Sequence, residues 1–332
     1  MEKKLDNSYL KETIRLLFAG NKRFEALGIP QTLEMRRNYR ELIIKTPGLN
    51  ESIGGVILYD ETIRQRTKDG IKFTQLLKNA GIIFGIKVDT GAKPMAAFPG
   101  EKVTEGLDGL RERLAEYKKM DVRFAKWRMV IAIAAEIPTT ACIEANIHAL
   151  VRYAALCQEA EIVPIVEPEI LMSGNHTIER CYQISEDVLK RLFYQLYQFG
   201  VDLEGMILKP NMVSSGKARV VHSSVDEVAE ATIKCLRASV PASVPAIAFL
   251  SGGQSSLEAA THLNAMHTQF KNQLPWMLTF SFGRAIQQPA LEVWKGRDEN
   301  IKKAHKLLYL AAKSDVSARL GKYFNEMDRA AF

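Results

Sequence analysis

The sequence predicts an α/β fold of the (β/α)-barrel type. Short apolar runs rich in β-branched residues alternate with longer segments of helical period, which is the pattern of a parallel sheet covered by helices. Charged residues recur within several of these runs. Many doubly wound sheets have a glycine-rich GxGxxG turn after their first strand, and this sequence has none after its first run. The chain has 332 residues, a length that single barrels commonly reach, and no linker divides it. We therefore expect residues 1–332 to form one domain that ends in a helical tail.

Seven apolar runs predict the strands. They recur roughly every 30 to 40 residues, as strand–helix units require. A closed barrel of this type has eight strands, so the count is one short. The runs comprise residues 53–59, 82–89, 124–132, 162–170, 204–212, 246–253 and 277–285.

Helical segments separate the predicted strands. Residues 139–157 carry apolar side chains at helical spacing, with Thr139 as a candidate N-cap. Residues 105–120 and 224–239 have the same period, and a long helical tail is expected after Gln287.

The composition indicates a globular protein with an excess of basic residues. Hydrophobic residues make up 47% of the chain, no apolar run approaches the roughly 20 residues of a membrane span, and the first residues lack the apolar core of a secretory signal. We therefore expect a cytoplasmic protein without membrane partners. The net charge of +7 is not concentrated in a nucleic-acid-binding motif, so small anionic substrates are expected rather than nucleic acid.

The cysteines and histidines do not predict a metal site. The four cysteines form no CxxC pair and lie in apolar or helical surroundings, which favours buried, reduced thiols. The six histidines show no HExxH or similar ligand spacing. We expect neither a bound metal nor a cofactor.

Charged residues inside otherwise apolar strands are the main indication of a functional site. At one position, a lysine that reaches solvent from a strand end or forms a structural ion pair would be the better interpretation. Recurrence in four strands favours an active site, because parallel strands of a barrel bring such residues to one mouth, where the chemistry of these folds takes place. The residues are Lys87, Lys126, Arg128, Glu167, Glu169 and Lys209.

Lys209 is the best candidate nucleophile of this set. Met206, Ile207 and Leu208 precede it and Pro210 follows it, so its amine is expected in an apolar environment. Burial and a neighbouring ammonium group both disfavour a charged lysine, and a neutral amine can attack a carbonyl carbon to form a Schiff base. On these grounds alone, Lys126 and Lys87 remain possible nucleophiles.

The last two predicted strands end in turns of small residues that suit a phosphate. The turns are SGGQS from Ser251 and SFGR from Ser281, and their backbone N–H groups together with Arg284 can bind an anion. A tight turn without a ligand is the simpler interpretation of SGG alone. Phosphate sites of barrels frequently use the loops after the seventh and eighth strands, which favours the ligand.

Taken in order, these segments resemble class I fructose-bisphosphate aldolases from about Lys22 to about Lys322. The resemblance implies a glycolytic enzyme with a TIM-barrel fold, a phosphorylated sugar as substrate and a homotetrameric assembly. It is carried by the motifs RRNYREL, IGGVILYDET, GIKVD, EGLDGL, FAKWR, VRYAALCQ, IVPIVEPEI, MILKPNMV, FLSGGQS, PWMLTFSFGRAIQ and GKY.

The resemblance also implies a role for each candidate residue. Lys209 would form the imine with C2 of fructose 1,6-bisphosphate, and Glu167 would move protons during imine formation and cleavage. Lys126 and Glu169 would support this chemistry. Cleavage between C3 and C4 would then give dihydroxyacetone phosphate and glyceraldehyde 3-phosphate. Two further groups would bind the substrate: Lys87, Arg128 and Arg23 at the 6-phosphate end, and Ser251, Gly252, Gly283 and Arg284 at the 1-phosphate.

The resemblance fails near the N-terminus. The family begins its barrel with a strand that leads into an Asp-Glu-Ser-Thr segment, whereas this sequence passes from residues 11–20 directly into residues 21–28. The first strand is therefore expected to be missing or replaced, with residues 16–20 (LLFAG) as a substitute. Three explanations remain open: a skipped exon or faulty gene model, replacement packing by an N-terminal helix, or an active enzyme in which Glu167 covers the missing Asp. The alternative function is a catalytically impaired, aldolase-like binding or scaffold protein.

Overall fold

A computed structural model describes residues 21–323, so the segment 16–20 lies outside the described part of the chain. Helices and strands alternate along it as the sequence predicts. In chain order they are α1 Asn21–Ala26, α2 Leu33–Ile44, β1 Gly55–Leu58, α3 Asp60–Arg64, α4 Phe73–Asn79, β2 Ile83–Lys87, β3 Gly91–Pro94, β4 Lys102–Glu105, α5 Leu110–Lys119, β5 Phe124–Ile131, α6 Thr140–Glu159, β6 Val163–Ile170, α7 Ile178–Gln198, β7 Ile207–Leu208, α8 Val225–Ser239, β8 Ala246–Phe249, α9 Ser256–Phe270, β9 Met277–Phe280, α10 Arg284–Trp294 and α11 Ile301–Arg319.

The seven predicted strands form one parallel sheet, which confirms the α/β prediction. Its order is β1-β2-β5-β6-β7-β8-β9, so strands that follow each other around the sheet are joined by helices. Within residues 21–323, β1 and β9 are the edge strands of this sheet. The fold is therefore a (β/α) barrel with seven described strands, as expected for a chain whose first strand is missing or replaced.

Several element bounds differ from the prediction. The run 204–212 forms only the two-residue strand β7, and the last run forms a strand only as far as Phe280, since α10 already begins at Arg284. The expected helix 105–120 begins at Leu110. The antiparallel hairpin of β3 and β4 was not predicted, because its short strands are largely solvent-accessible and lack a clear apolar alternation.

Capping side chains explain where the predicted helices begin. The Thr139 hydroxyl accepts a hydrogen bond from the Cys142 amide at 3.2 Å and starts α6, which confirms this residue as N-cap. Ser224 and Glu227 form a reciprocal capping box at the start of α8.

No helix among residues 21–323 is long and apolar enough to cross a membrane.

Side chains alternate between the two faces of the curled sheet and form two apolar clusters. The outer cluster lies between the strands and the helices and includes Val56 and Leu58, whereas Ile57 between them points inward. The inner cluster draws on five strands and fills the base of the barrel with Ile57, Phe124, Val163, Ile165, Ile207 and Ala248. Because the base is packed with apolar residues, inward polar side chains are confined to the other end.

Gly85 leaves the space that the Phe124 ring occupies inside the barrel. A Cβ atom at position 85 would lie 2.1 Å from Phe124 Cδ2 and 2.4 Å from the Phe124 carbonyl oxygen, so the backbone of β5 would have to move. We expect Gly85→Ala to lower the free energy of unfolding by about 3 kcal/mol, measured by urea denaturation. As control, Gly81→Ala meets no atom within 4 Å but has a positive φ of 70°, and it should cost about 1 kcal/mol. Equal losses in the two variants would contradict this packing.

Candidate active site

The predicted charged residues lie at the carboxyl ends of adjacent strands. In the sheet register, Lys87 of β2 is opposite Lys126 of β5, and Arg128 of β5 is opposite Glu167 of β6. Side chains of a strand alternate between its two faces, and each of these residues lies an even number of positions after an inward-facing residue of its strand. Each therefore points into the barrel, above the apolar base. The alternation of the strands thus collects these side chains at one mouth.

Lys209, Glu167 and Lys126 form the centre of the site. Lys209 Nζ donates a hydrogen bond to Glu167 Oε1, and Lys126 Nζ lies 2.9 Å from Glu167 Oε2. All three side chains are buried, with exposed fractions of 7%, 4% and 1% for Lys209, Glu167 and Lys126. The carboxylate of Glu167 is therefore held between two amines, away from water.

Two further ion pairs border this centre. Lys87 Nζ contacts Asp89 Oδ1 and donates to the Asp89 carbonyl oxygen at 2.7 Å. Arg128 Nε is paired with Glu169 Oε2, and the Arg128 amide donates to Asp89 Oδ2 at 3.2 Å. The side chains predicted as catalytic, together with Lys87 and Arg128, therefore belong to one connected cluster.

The electrostatics of the cluster lower the proton affinity of Lys209 but not that of Lys126, and burial also lowers the pKa of Lys87 at the edge of the cluster. Burial and the neighbouring Lys126 ammonium lower the pKa of Lys209, although Glu167 opposes this shift. Burial also disfavours the charged form of Lys126, but the carboxylates of Glu167 and Asp89 outweigh it and raise its pKa. Burial raises the pKa of Glu167, but the nearby Lys126, Lys209 and Arg128 outweigh this effect and lower the pKa to about 2. Glu167 and Lys126 are thus ionised beside a lysine that loses its proton more readily.

The loops after β8 and β9 provide backbone groups for an anion. Gly252 and Gly253 have φ values of 56° and 91°, and a Cβ atom on Gly252 would lie 2.8 Å from Met172 Sδ, so this turn requires glycine. Ser251 begins the turn and is buried. Gly283 is the N-cap of α10 and supplies no side-chain cap, which leaves the amides of the first turn available to an anion.

Arg23 interacts electrostatically with Arg284. It is carried by α1, and burial and the Arg284 guanidinium lower its pKa, while the nearby Tyr39 and Tyr59 oppose the shift. Two arginines in electrostatic range of each other, one of them at the start of α10, favour an anionic ligand.

The sequence did not single out Asp89 and Tyr59 as site residues. Asp89 contacts Lys87 and the Arg128 amide, and Tyr59 places its ring centroid 5.6 Å from Lys87 Nζ. Each is the last residue of a predicted strand, in the runs 82–89 and 53–59, and lies just beyond the observed strand. Their position after inward-facing strand residues was the available signal.

The cysteines are buried, as predicted. All four lie within the described residues, are buried and form no disulfide. In the part of the chain that the structure covers, no three His, Cys, Asp or Glu side chains are grouped so that they could bind a metal ion.

Comparisons with known proteins agree on one family. The family model described as fructose-bisphosphate aldolase class-I matches residues 18–332. A probable fructose-bisphosphate aldolase class 1 of Xanthomonas campestris is 56% identical over 303 residues, which cover 91% of this chain and 90% of the relative. The cytosolic fructose-bisphosphate aldolase 6 of Arabidopsis thaliana is 45% identical over 302 residues, covering 91% and 84% of the two chains.

A solved structure matches over nearly the whole chain. It is that of fructose-bisphosphate aldolase from Plasmodium falciparum in complex with TRAP and a small-molecule inhibitor. The TM-score is 0.92 at 41% sequence identity, with 96% of this chain and 93% of the other covered. The barrel described above is therefore the fold of that protein as well.

Proposed function

This chain belongs to the class I fructose-bisphosphate aldolase family, and we propose that it cleaves fructose 1,6-bisphosphate through an imine on Lys209. Family membership makes the chain a lyase of glycolysis that acts on a phosphorylated sugar. The observation that carries the residue assignment is the buried contact of Lys209 with Glu167, whose other oxygen is 2.9 Å from Lys126 Nζ.

The proposed cleavage begins with the neutral amine of Lys209. Its nitrogen attacks the C2 carbonyl carbon, and loss of water gives a protonated imine. The imine then accepts the electron pair of the C3–C4 bond while the C4 hydroxyl loses its proton, so glyceraldehyde 3-phosphate leaves and an enamine remains. Protonation at C3 and hydrolysis release dihydroxyacetone phosphate and restore Lys209.

Glu167 and Lys126 are assigned to the proton transfers and the electrostatics of these steps. Glu167 contacts the Lys209 amine directly and is the carboxylate positioned to exchange protons there. Lys126 disfavours a second ammonium beside it and keeps Glu167 ionised. Glu169 supports the site by holding Arg128.

The two phosphates are assigned to the two sides of the mouth. Ser251, Gly252, Gly283 and Arg284 would bind the 1-phosphate through the turn after β8 and the N-terminus of α10. Lys87 and Arg128 would meet the 6-phosphate end. The family resemblance assigns Arg23 to the same end, whereas its electrostatic interaction with Arg284 supports the 1-phosphate side instead.

A cleavage assay tests this function. The purified chain is incubated with fructose 1,6-bisphosphate, and the formation of the two triose phosphates is followed through a coupled dehydrogenase reaction. We expect both products in equal amounts. An intact, folded chain that binds the substrate without cleaving it would favour the alternative, an impaired binding or scaffold protein.

The lowered pKa of Lys209 predicts a pH dependence. A group with a depressed pKa is neutral over a wider pH range, so imine formation should stay fast below the ordinary lysine value of 10.5 and slow only as the pH falls through the depressed pKa. The rate of borohydride trapping with dihydroxyacetone phosphate, measured across pH, reports this decrease in the rate of imine formation. A midpoint at or above 10.5 would contradict the proposed environment of Lys209.

We also propose one domain, a cytoplasmic location and a homotetramer. One outer apolar cluster includes residues from Phe24 to Tyr323, which supports a single domain. The cytosolic relative from Arabidopsis supports the location, and the family resemblance supports the tetramer. Light scattering of the purified chain measures the assembly.

A further inference from the structure

Asp89 is a buried carboxylate that joins the two lysines of β2 and β5. Its side chain is 2% exposed; Oδ1 contacts Lys87 Nζ, and Oδ2 is 3.9 Å from Lys126 Nζ. The Arg128 amide donates to Oδ2 at 3.2 Å and fixes the orientation of the carboxylate. The backbone is anchored next to it, since the Thr90 amide donates to the Glu105 carbonyl oxygen at 2.9 Å.

The formal charges around Lys209 balance only when Asp89 is included. Lys87 and Lys126 contribute two positive charges, Glu167 and Asp89 contribute two negative charges, and Lys209 must be neutral to act as nucleophile. Without Asp89, two ammonium groups would share the single carboxylate of Glu167. An uncompensated buried charge is costly, so one lysine would give up its proton.

We propose that Asp89 is a positioning residue of the imine reaction, which holds Lys126 as an ammonium group between two carboxylates and beside Lys209. It acts through Lys126 and not on the substrate. The role rests on the proposed function of Lys209, because a charged Lys126 matters to catalysis only if its neighbour is the nucleophile.

The groups around Lys126 show how Asp89 affects the pKa of this lysine. Lys126 is faced by Tyr59 after β1, Lys87 of β2, Asp89 after β2, Glu167 of β6 and Lys209 after β7. Of these, only Glu167 and Asp89 are carboxylates, and both raise the pKa of Lys126 against the effect of burial. Loss of Asp89 should therefore neutralise Lys126 at lower pH, and activity that needs the ammonium should be lost earlier as the pH rises.

The experiment compares Asp89→Asn, which keeps the shape and removes the charge, with Asp89→Glu, which keeps the charge. Glu101→Gln is the matched control, since Glu101 is also a buried carboxylate and accepts from the Thr139 amide and hydroxyl at 2.7 and 2.6 Å, outside the lysine cluster. Each variant is assayed for kcat and KM across pH, for borohydride trapping of dihydroxyacetone phosphate, and for melting temperature.

We expect Asp89→Asn to lower kcat by roughly 10- to 100-fold and to move the alkaline limb of kcat to lower pH by about one unit, with KM changed far less. Asp89→Glu should restore the position of the limb, and Glu101→Gln should leave it unchanged. If Asp89→Asn kept the alkaline limb of the kcat–pH profile at its wild-type position, and only its melting temperature fell, the role of Asp89 would be overturned. The imine function would then stand, provided that adducts still form at Lys209. Absence of the adduct in the wild-type chain would instead overturn the imine function and this role with it.

Discussion

Lys209→Met should reduce the cleavage of fructose 1,6-bisphosphate at least about 10⁴-fold, because the variant lacks the amine that is assigned to the covalent step. Methionine fills a similar volume without the amine, and the pair of Lys126 and Glu167 can persist, so the fold should be retained. Binding of the bisphosphate should survive, since the residues assigned to the phosphates are unchanged. Cleavage is measured by the coupled assay and binding by calorimetry.

The control for this variant is Lys302→Met, in which an exposed lysine of α11 is replaced. It should cleave at the wild-type rate. If Lys209→Met retained more than about a tenth of the wild-type kcat, the nucleophile would have to be another lysine of the cluster, for which Lys126 is the nearest candidate.

Glu167→Gln should have the second-largest effect on catalysis. It removes the carboxylate that contacts both Lys126 and Lys209, together with the proton transfers assigned to it. We expect kcat to fall by about 10²- to 10⁴-fold, in the range that general acid–base groups contribute. The coupled assay measures kcat, and the Glu101→Gln chain is again the control.

The same variant should be less stable, by about 3 kcal/mol at neutral pH, because it leaves two buried amines without their shared anion. The pKa of Glu167 is lowered from 4.5 to about 2, so its contribution to stability is complete above pH 4.5 and is lost as the pH falls toward 2. The difference in unfolding free energy between wild type and Glu167→Gln should therefore shrink over that interval. A kcat within threefold of wild type, or a difference that does not change with pH, would contradict the assigned environment of Glu167.

The sequence was informative about this site because strand geometry is regular. Residues such as Lys126 and Glu167 stand out as charges in apolar runs, and the two-residue period of a strand then places them on the inner face. The family resemblance adds roles to these residues. The seven strands could be found in the same way, since each lies in a short, largely apolar run.

What the sequence could not specify is which charges meet. The approach of Asp89 to Lys126 depends on the register between β2 and β5, and a carboxylate that follows a strand has no pattern of its own. The hairpin of β3 and β4 was missed for a related reason, because short exposed strands carry little apolar periodicity. Arg23 reaches the site only through the packing of α1, where Phe24 contacts Tyr39 and Trp294.

The most direct test of the imine at Lys209 is borohydride reduction in the presence of dihydroxyacetone phosphate, followed by peptide mapping. Reduction converts the imine into a stable secondary amine, so the modified lysine can be identified by mass. We predict one adduct per chain, on the peptide that contains Lys209, and none in Lys209→Met. An adduct on Lys126 or Lys87, or no adduct in a chain that cleaves fructose 1,6-bisphosphate, would contradict the assignment of Lys209 as the Schiff-base lysine.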